Sequence, residues 1–283
     1  MSAAIATERK GLALRPGAWL VWGAVVFFLL ILAGVVGAVV VDSFGTRWFS
    51  GWLPSGWTSR WYGKTWHEFD LGNVLVVTLE VAVAVVVVSL VVGVPAAYAL
   101  ARRTFPGKRV LMVAFMLPIL IPPITYGVPL ATVLYKFHLA GKLSGVILAN
   151  LVPAVPFVIL VMTPFIEQID PKIESAARMC GARTRVIFTR ILGPLLIPGM
   201  LAAAVLILVR TVGMFELTFL TAGSDSQTLV VALYYSVSAA GIRAQQEIDA
   251  MAVIYTLFML VLLVVALRFV NPTQLVTQIK ERD

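Results

Sequence analysis

Three ionisable side chains lie inside long apolar stretches of this chain: Glu80, Arg210 and Glu216. A charge in hydrocarbon costs about 2.5 kcal/mol or more at mid-depth, so each must face a bundle interior, a cavity or an opposite charge. Such side chains suit ion pairing and contact with a polar solute in transit. At about 1.5 Å per residue, Glu80 sits roughly 10 Å below the outer end of its stretch and Arg210 roughly 15 Å below its own. Similar depth predicts a Glu80–Arg210 pair across two helices, with a purely packing pair as the competing reading. Arg210 and Glu216 stand about 240° apart around a continuous helix and so do not share a face, which leaves Glu216 as a candidate to line a polar path, a translocation path if the chain carries one. No catalytic constellation accompanies them. His67 and His138 fall in connecting loops without a specific Ser, Cys or carboxylate arrangement. Cys180 is the only cysteine, so neither a disulfide framework nor metal-ligand spacing is present, and the chain lacks a G-x-x-x-x-G-K-[ST] phosphate loop. The expectation is a chain that is not an enzyme and binds no metal or cofactor itself.

The elements that must position these charges follow from hydropathy. Hydrophobic residues make up 60% of the chain and charged residues 13%, with a mean hydropathy of +0.96, against roughly 25% charged residues in soluble domains. Six apolar blocks approach or exceed the roughly 20 residues that a helix needs to cross a bilayer: Ala18 to Val41, Val74 to Leu100, Val110 to Leu134, Val146 to Ile166, Ile191 to Leu220, and Ile248 to Val270. Backbone polar groups must be satisfied within each segment, and the alternation of a membrane barrel is missing, so the fold class read is an all-α integral membrane bundle.

Fifteen of the 22 Lys and Arg residues fall at the termini and in the even connections, including Arg9, Lys10, Arg15, Lys280 and Arg282, against six in the opposite set. That asymmetry places both termini in the cytoplasm. It also accounts for the net charge of +8 as topology and contact with anionic membrane lipid, without nucleic acid. The first block is too long for the apolar core of a signal peptide and reads as an anchor. The resulting division is a cytoplasmic N-terminus (1–17), a first transmembrane helix (18–41), an external loop (42–72), a core (73–271) containing a cytoplasmic loop (167–190), and a cytoplasmic C-terminus (272–283). The external loop carries Trp48, Trp52, Trp57, Trp61, Tyr62 and Trp66, read as an interfacial aromatic belt, with an external partner as the alternative. Prolines 118, 122, 123 and 129 in the third block, and 153, 156 and 164 in the fourth, predict kinked or broken helices beside a pathway.

The loop at 167–190 looks structured. Asp170 is placed to cap a helix that begins at Pro171, where the missing N–H costs nothing. Glu174 and Arg178 stand at i, i+4, and Gly181 supplies a left-handed stop. Ser175, Ala176 and Ala177 leave part of the helix bare for close approach, while Ile173, Ala177 and Cys180 form an apolar stripe. The run Ser175-Ala176-Ala177-Arg178-Met179-Cys180-Gly181, nine residues, then Ile191-Leu192-Gly193-Pro194 resembles the EAA loop of ABC-importer permeases. In that family the pattern is Glu-Ala-Ala, three residues, Gly, nine residues, Ile-x-Leu-Pro. Ser175 replaces the usual Glu, with Glu174 just before it, and Gly193 replaces the usual Leu. Gly56 to Tyr62 and Ser226 to Leu229 resemble the spermidine/putrescine-type subgroup, which spans polyamine, iron, phosphonate and opine importers.

The resemblance implies six transmembrane helices, a permease core of five preceded by one extra helix, in a bacterial inner membrane. It also implies that Asp170, Pro171, Glu174, Ser175, Ala176, Ala177, Arg178, Gly181 and Ala182 form a coupling elbow seated on a cytoplasmic ATPase dimer, which holds the ATP and Mg. A second permease subunit, in the fuller reading a homologous different chain, and an external solute-binding protein complete the assembly. The alternatives are a sugar-type ABC permease and an ion-coupled secondary transporter; the latter usually shows internally repeated halves, which this sequence lacks.

Overall fold

The computed structural model describes residues 16–48, 51–239 and 241–268. Arg9, Lys10, Arg15, Lys280 and Arg282, most of segment 1–17 and all of segment 272–283 lie outside the described residues. The described chain is helical, with an isolated bridge between Gly45 and Trp57. The elements are α1 (Pro16–Ser43), α2 (Arg60–Glu68), α3 (Leu71–Arg102), α4 (Lys108–Leu120), α5 (Pro123–Lys136), α6 (Leu143–Glu167) and α7 (Pro171–Met179), followed by the single turn α8 (Thr184–Val186). From α8 the chain passes through a π-helical stretch, Ile187–Leu192, into α9 (Gly193–Val212), and then forms α10 (Phe215–Thr221), α11 (Leu229–Ser238) and α12 (Gln245–Arg268).

Five helical segments are long and apolar enough to cross a membrane, and α4 with α5 make a sixth candidate bent by 96°. The bend falls at Ile121 and Pro122, where Pro122 caps α5 and Pro123 begins it; two successive prolines cannot continue the α4 hydrogen-bond ladder. By contrast, α6 stays one helix through Pro153, Pro156 and Pro164, so of the expected kink or break, the break does not occur. It is the most enclosed span, with 56% of its apolar window buried against 0% for α1, so neighbours on several sides hold it in register.

The core is formed where α3, α6 and α9 meet, with Val81, Val85, Val158, Met162 and Ile207 buried together. Close approach is built in at Gly93, where an added Cβ would lie 2.7 Å from Val158, and at Gly199, where it would lie 2.8 Å from Phe165. Small residues at helix contacts replace the missing hydrophobic drive inside lipid. Helix α1 packs along α12 and otherwise presents Trp19, Phe27, Phe28 and Leu32 outward. It is an added span outside the core.

Two boundaries differ from the hydropathy reading. The stretch 42–72, read as an external loop, contains α2, whose pattern is too polar to register as apolar but which buries Trp61 and Thr65. The fifth block is not one helix: α9 stops at Val212, Gly213 caps it, and α10 starts at Phe215. The angular argument that separated Arg210 from Glu216 therefore does not hold.

Candidate functional site

The elbow after α6 forms as its local residues dictate. Asp170 Oδ1 accepts the Lys172 backbone N–H at 2.9 Å, and Pro171 occupies the first helical position of α7. Gly181 has φ +78°, and a side chain there would meet nothing within 4 Å. The constraint is thus the left-handed backbone, which glycine adopts without strain. Gly181 N–H donates to the Arg178 carbonyl at 2.9 Å, and Ala182 N–H to the Ala177 carbonyl at 3.0 Å, closing the turn.

Glu174 does not pair with Arg178. It turns inward and is buried; Tyr98 Oη donates to its Oε2 at 2.6 Å and Arg102 Nε to its Oε1 at 2.8 Å. Arg102 also donates through Nη2 to the Ile169 carbonyl at 2.8 Å, and the Tyr98 ring packs edge-on to Phe188 at 4.5 Å between centroids. The C-terminal turn of α3 therefore grips both ends of the α6–α7 connection. A carboxylate with two such donors and little water is strongly held, and charge-assisted bonds of this length are the strong kind. Tyr98 and Arg102 were absent from the sequence reading. Their i, i+4 spacing at the end of an apolar block was the available signal, but it names no partner.

The remaining elbow residues divide by exposure. Ala177 and Ala182 pack against the core, and the Ser175 hydroxyl bonds back to the Pro171 carbonyl at 3.3 Å. Ala176, Arg178 and Cys180 face outward, as do Ile173 at 41% and Met179 at 89% exposure. The apolar stripe is thus split: only Ala177 turns to the protein, and the helix offers apolar side chains to a surface outside this chain. Between α7 and the end of α3 lies a cavity of about 670 Å³ lined by Tyr98, Arg102, Arg103, Glu174, Arg178 and Thr184.

The charges within the spans are arranged differently from the pairing expected. Glu80 lies on the exposed side of α3. Arg210 is half-buried with its guanidinium 5.7 Å from the Phe157 ring centroid, within cation–π range. Among the described residues no ion pair joins Glu80 to Arg210. The helix break instead sets Glu216 in the first turn of α10, where it is half-buried. The same helix carries part of an aromatic group missed in the sequence, with Phe215 4.7 Å from Tyr234 and 5.1 Å from Phe219 between ring centroids. It joins α10 to α11, and so depends on the fold.

The chain belongs to the family of binding-protein-dependent transport system inner membrane components, whose model matches residues 86–272. It is 31% identical to the molybdenum transport system permease protein ModB of Haemophilus influenzae, over 65% of this chain and 88% of that one. It is also 31% identical to the trehalose transport system permease protein SugB of Mycobacterium tuberculosis, over 56% of this chain and 57% of that one. Its fold is similar to that of a bacterial ABC transporter involved in the import of the acidic polysaccharide alginate, with a TM-score of 0.71 at 20% identity, covering 89% of this chain and 96% of the other. The chain is accordingly an inner-membrane permease subunit of the ABC-transporter class, as the loop spacing implied.

Proposed function

We propose that this chain forms one half of the pathway of an ATP-driven importer for a small polar solute, coupled through α7 to a separate cytoplasmic ATPase dimer that holds ATP and Mg. The observation that carries this reading is the Glu174–Arg102–Tyr98 clamp. A rigid, capped elbow bonded to the end of a membrane helix transmits a push from outside into the bundle. The excess of Lys and Arg in the connections on that side supports a cytoplasmic elbow. A second permease chain, homologous but different, completes the path, and an external binding protein delivers the solute.

For the solute, the resemblance of Gly56 to Tyr62 and Ser226 to Leu229 to the spermidine/putrescine-type subgroup favours the polyamine, iron, phosphonate and opine group. Glu216 on α10, the helix whose Phe215 and Phe219 pack with Tyr234, suits an organic cation, since carboxylate and π faces both attract positive charge. A sugar is the second reading, favoured by the identity to the trehalose permease.

Purification of the tagged chain from its native membrane should recover an ATPase subunit. ATP turnover of that complex in nanodiscs should rise when the cognate binding protein and solute are added together. A chain that purifies alone and transports on an ion gradient overturns the proposal. Uptake of labelled putrescine against trehalose separates the two solute readings, and Glu216→Gln should lower uptake of a cation more than that of a sugar.

A further inference from the structure

Resting on the assignment of the elbow as the ATPase-facing element, we propose that the ATPase subunit presents an acidic groove to it, whose carboxylates meet Arg103, Arg178, Arg183 and Arg185. The charge of the elbow surface follows from where its few acids go. Asp170 accepts the capping N–H at 2.9 Å and stays exposed. Glu174 is buried and accepts from Tyr98 and Arg102. Glu167 lies 3.9 Å from Lys108. Cations outnumber the acids that stay outward: Arg103, Lys172, Arg178, Arg183 and Arg185 are exposed against Asp170 and Glu167, and among the described residues none of the five has a carboxylate within salt-bridge distance.

Shape adds to charge. Arg103 and Arg178 both line the cavity of about 670 Å³ between α3 and α7, so their guanidiniums border a recess that a protruding acidic side chain enters. The exposed Ile173 and Met179 stand on the same helix, giving the mixture of apolar anchors and polar rim found at protein interfaces. A basic groove on the partner would meet like charge, which such interfaces select against. The neutralisation of Glu174 inside the permease thus sets the sign of the partner.

The test uses the full permease in phosphatidylcholine nanodiscs and the ATPase subunit recovered with it, with affinity measured by titration. Arg103→Glu with Arg178→Glu should weaken binding by about tenfold or more, because several facing charges are reversed at once. Wild-type affinity should fall as KCl is raised. Replacing groove carboxylates of the ATPase by lysine should restore binding to the reversed permease. Both arginines are exposed, so thermal unfolding of the variant in detergent should match the wild type. If charge reversal and salt leave affinity unchanged while Met179→Asp weakens it, the groove is apolar: the proposal fails and the elbow assignment stands. If charge reversal, Met179→Asp and Gly181→Leu all bind normally, the elbow assignment itself fails. If reversal acts only in discs containing phosphatidylglycerol, the arginines serve anionic lipid, and the acidic groove is overturned.

Discussion

At the elbow end of the bundle, Glu174 joins α7 to α3 through Arg102. At the far end of α3, some 45 Å away at about 1.5 Å per residue, the fully enclosed Glu247 joins α12 to α2 through Lys64 at 2.6 Å. Both ends use one buried carboxylate to tie a short amphipathic helix to a long span. They differ in what surrounds it. The α2 end balances its charges internally: Arg243 pairs with Glu247 and also with Glu68 at 2.6 Å, and stacks 4.8 Å from the Phe69 ring centroid. Gln246 donates to Asp42 at 3.0 Å, tying in the end of α1. The elbow end turns Glu174 inward and leaves an excess of arginines outside. A closed network fastens; an open one is available to a partner.

The sharpest way to break this comparison is Glu174→Ala. Removing one member of a buried pair leaves Arg102 uncompensated and costs about 3–5 kcal/mol, so uptake should fall at least tenfold, with ATP turnover no longer responding to solute. Glu247→Ala comes next. It should lower the unfolding temperature through a loss of about 2 kcal/mol, reduced because Lys64 is half-exposed, while ATPase binding stays normal. Equal loss of ATPase binding in the two variants would erase the distinction. Gly181→Leu forces a side chain onto a left-handed backbone at about 1–2 kcal/mol. It should cut solute-stimulated ATP turnover several-fold with membrane insertion intact, and normal coupling would show that the turn is dispensable.

The smallest effect concerns pH. The Arg243 hydrogen bond holds the Glu68 carboxyl below its ordinary value of 4.5, outweighing a modest opposing effect of burial. A lowered folded value means that this contribution is fully present above the unfolded carboxylate range and is lost as pH falls through the folded one. Thermal stability near neutrality should therefore be independent of Glu68 titration and should drop only below about pH 4.5. Glu68→Gln should flatten that acid limb slightly, as read by unfolding temperature against pH.

The elbow shows how far local residues reach. Asp170, Pro171 and Gly181 act within one turn of themselves, so their spacing was enough to foresee the cap, the helix and its stop. Glu174 has a local candidate, Arg178, and a distant one, Arg102, 72 residues away. The nearer was expected, and burial selected the farther, because a carboxylate turned toward the core needs donors there. The same holds for the intramembrane charges. Equal depth suggested Glu80 with Arg210, but depth along a helix carries no information about which way its face is turned. Gly213 was the one mark in the fifth block that could have warned of a helix end between Arg210 and Glu216.

By itself, then, the sequence determined the solvent, the apolar spans and the place of the elbow, since hydropathy and capping are properties of contiguous residues. Only the tertiary structure decided the partners of Glu174 and Glu247, the continuity of α6 through three prolines and the break between α9 and α10. Those outcomes depend on which side chains from remote parts of the chain arrive together out of water, where an unpaired charge or backbone group is expensive enough to override the local choice.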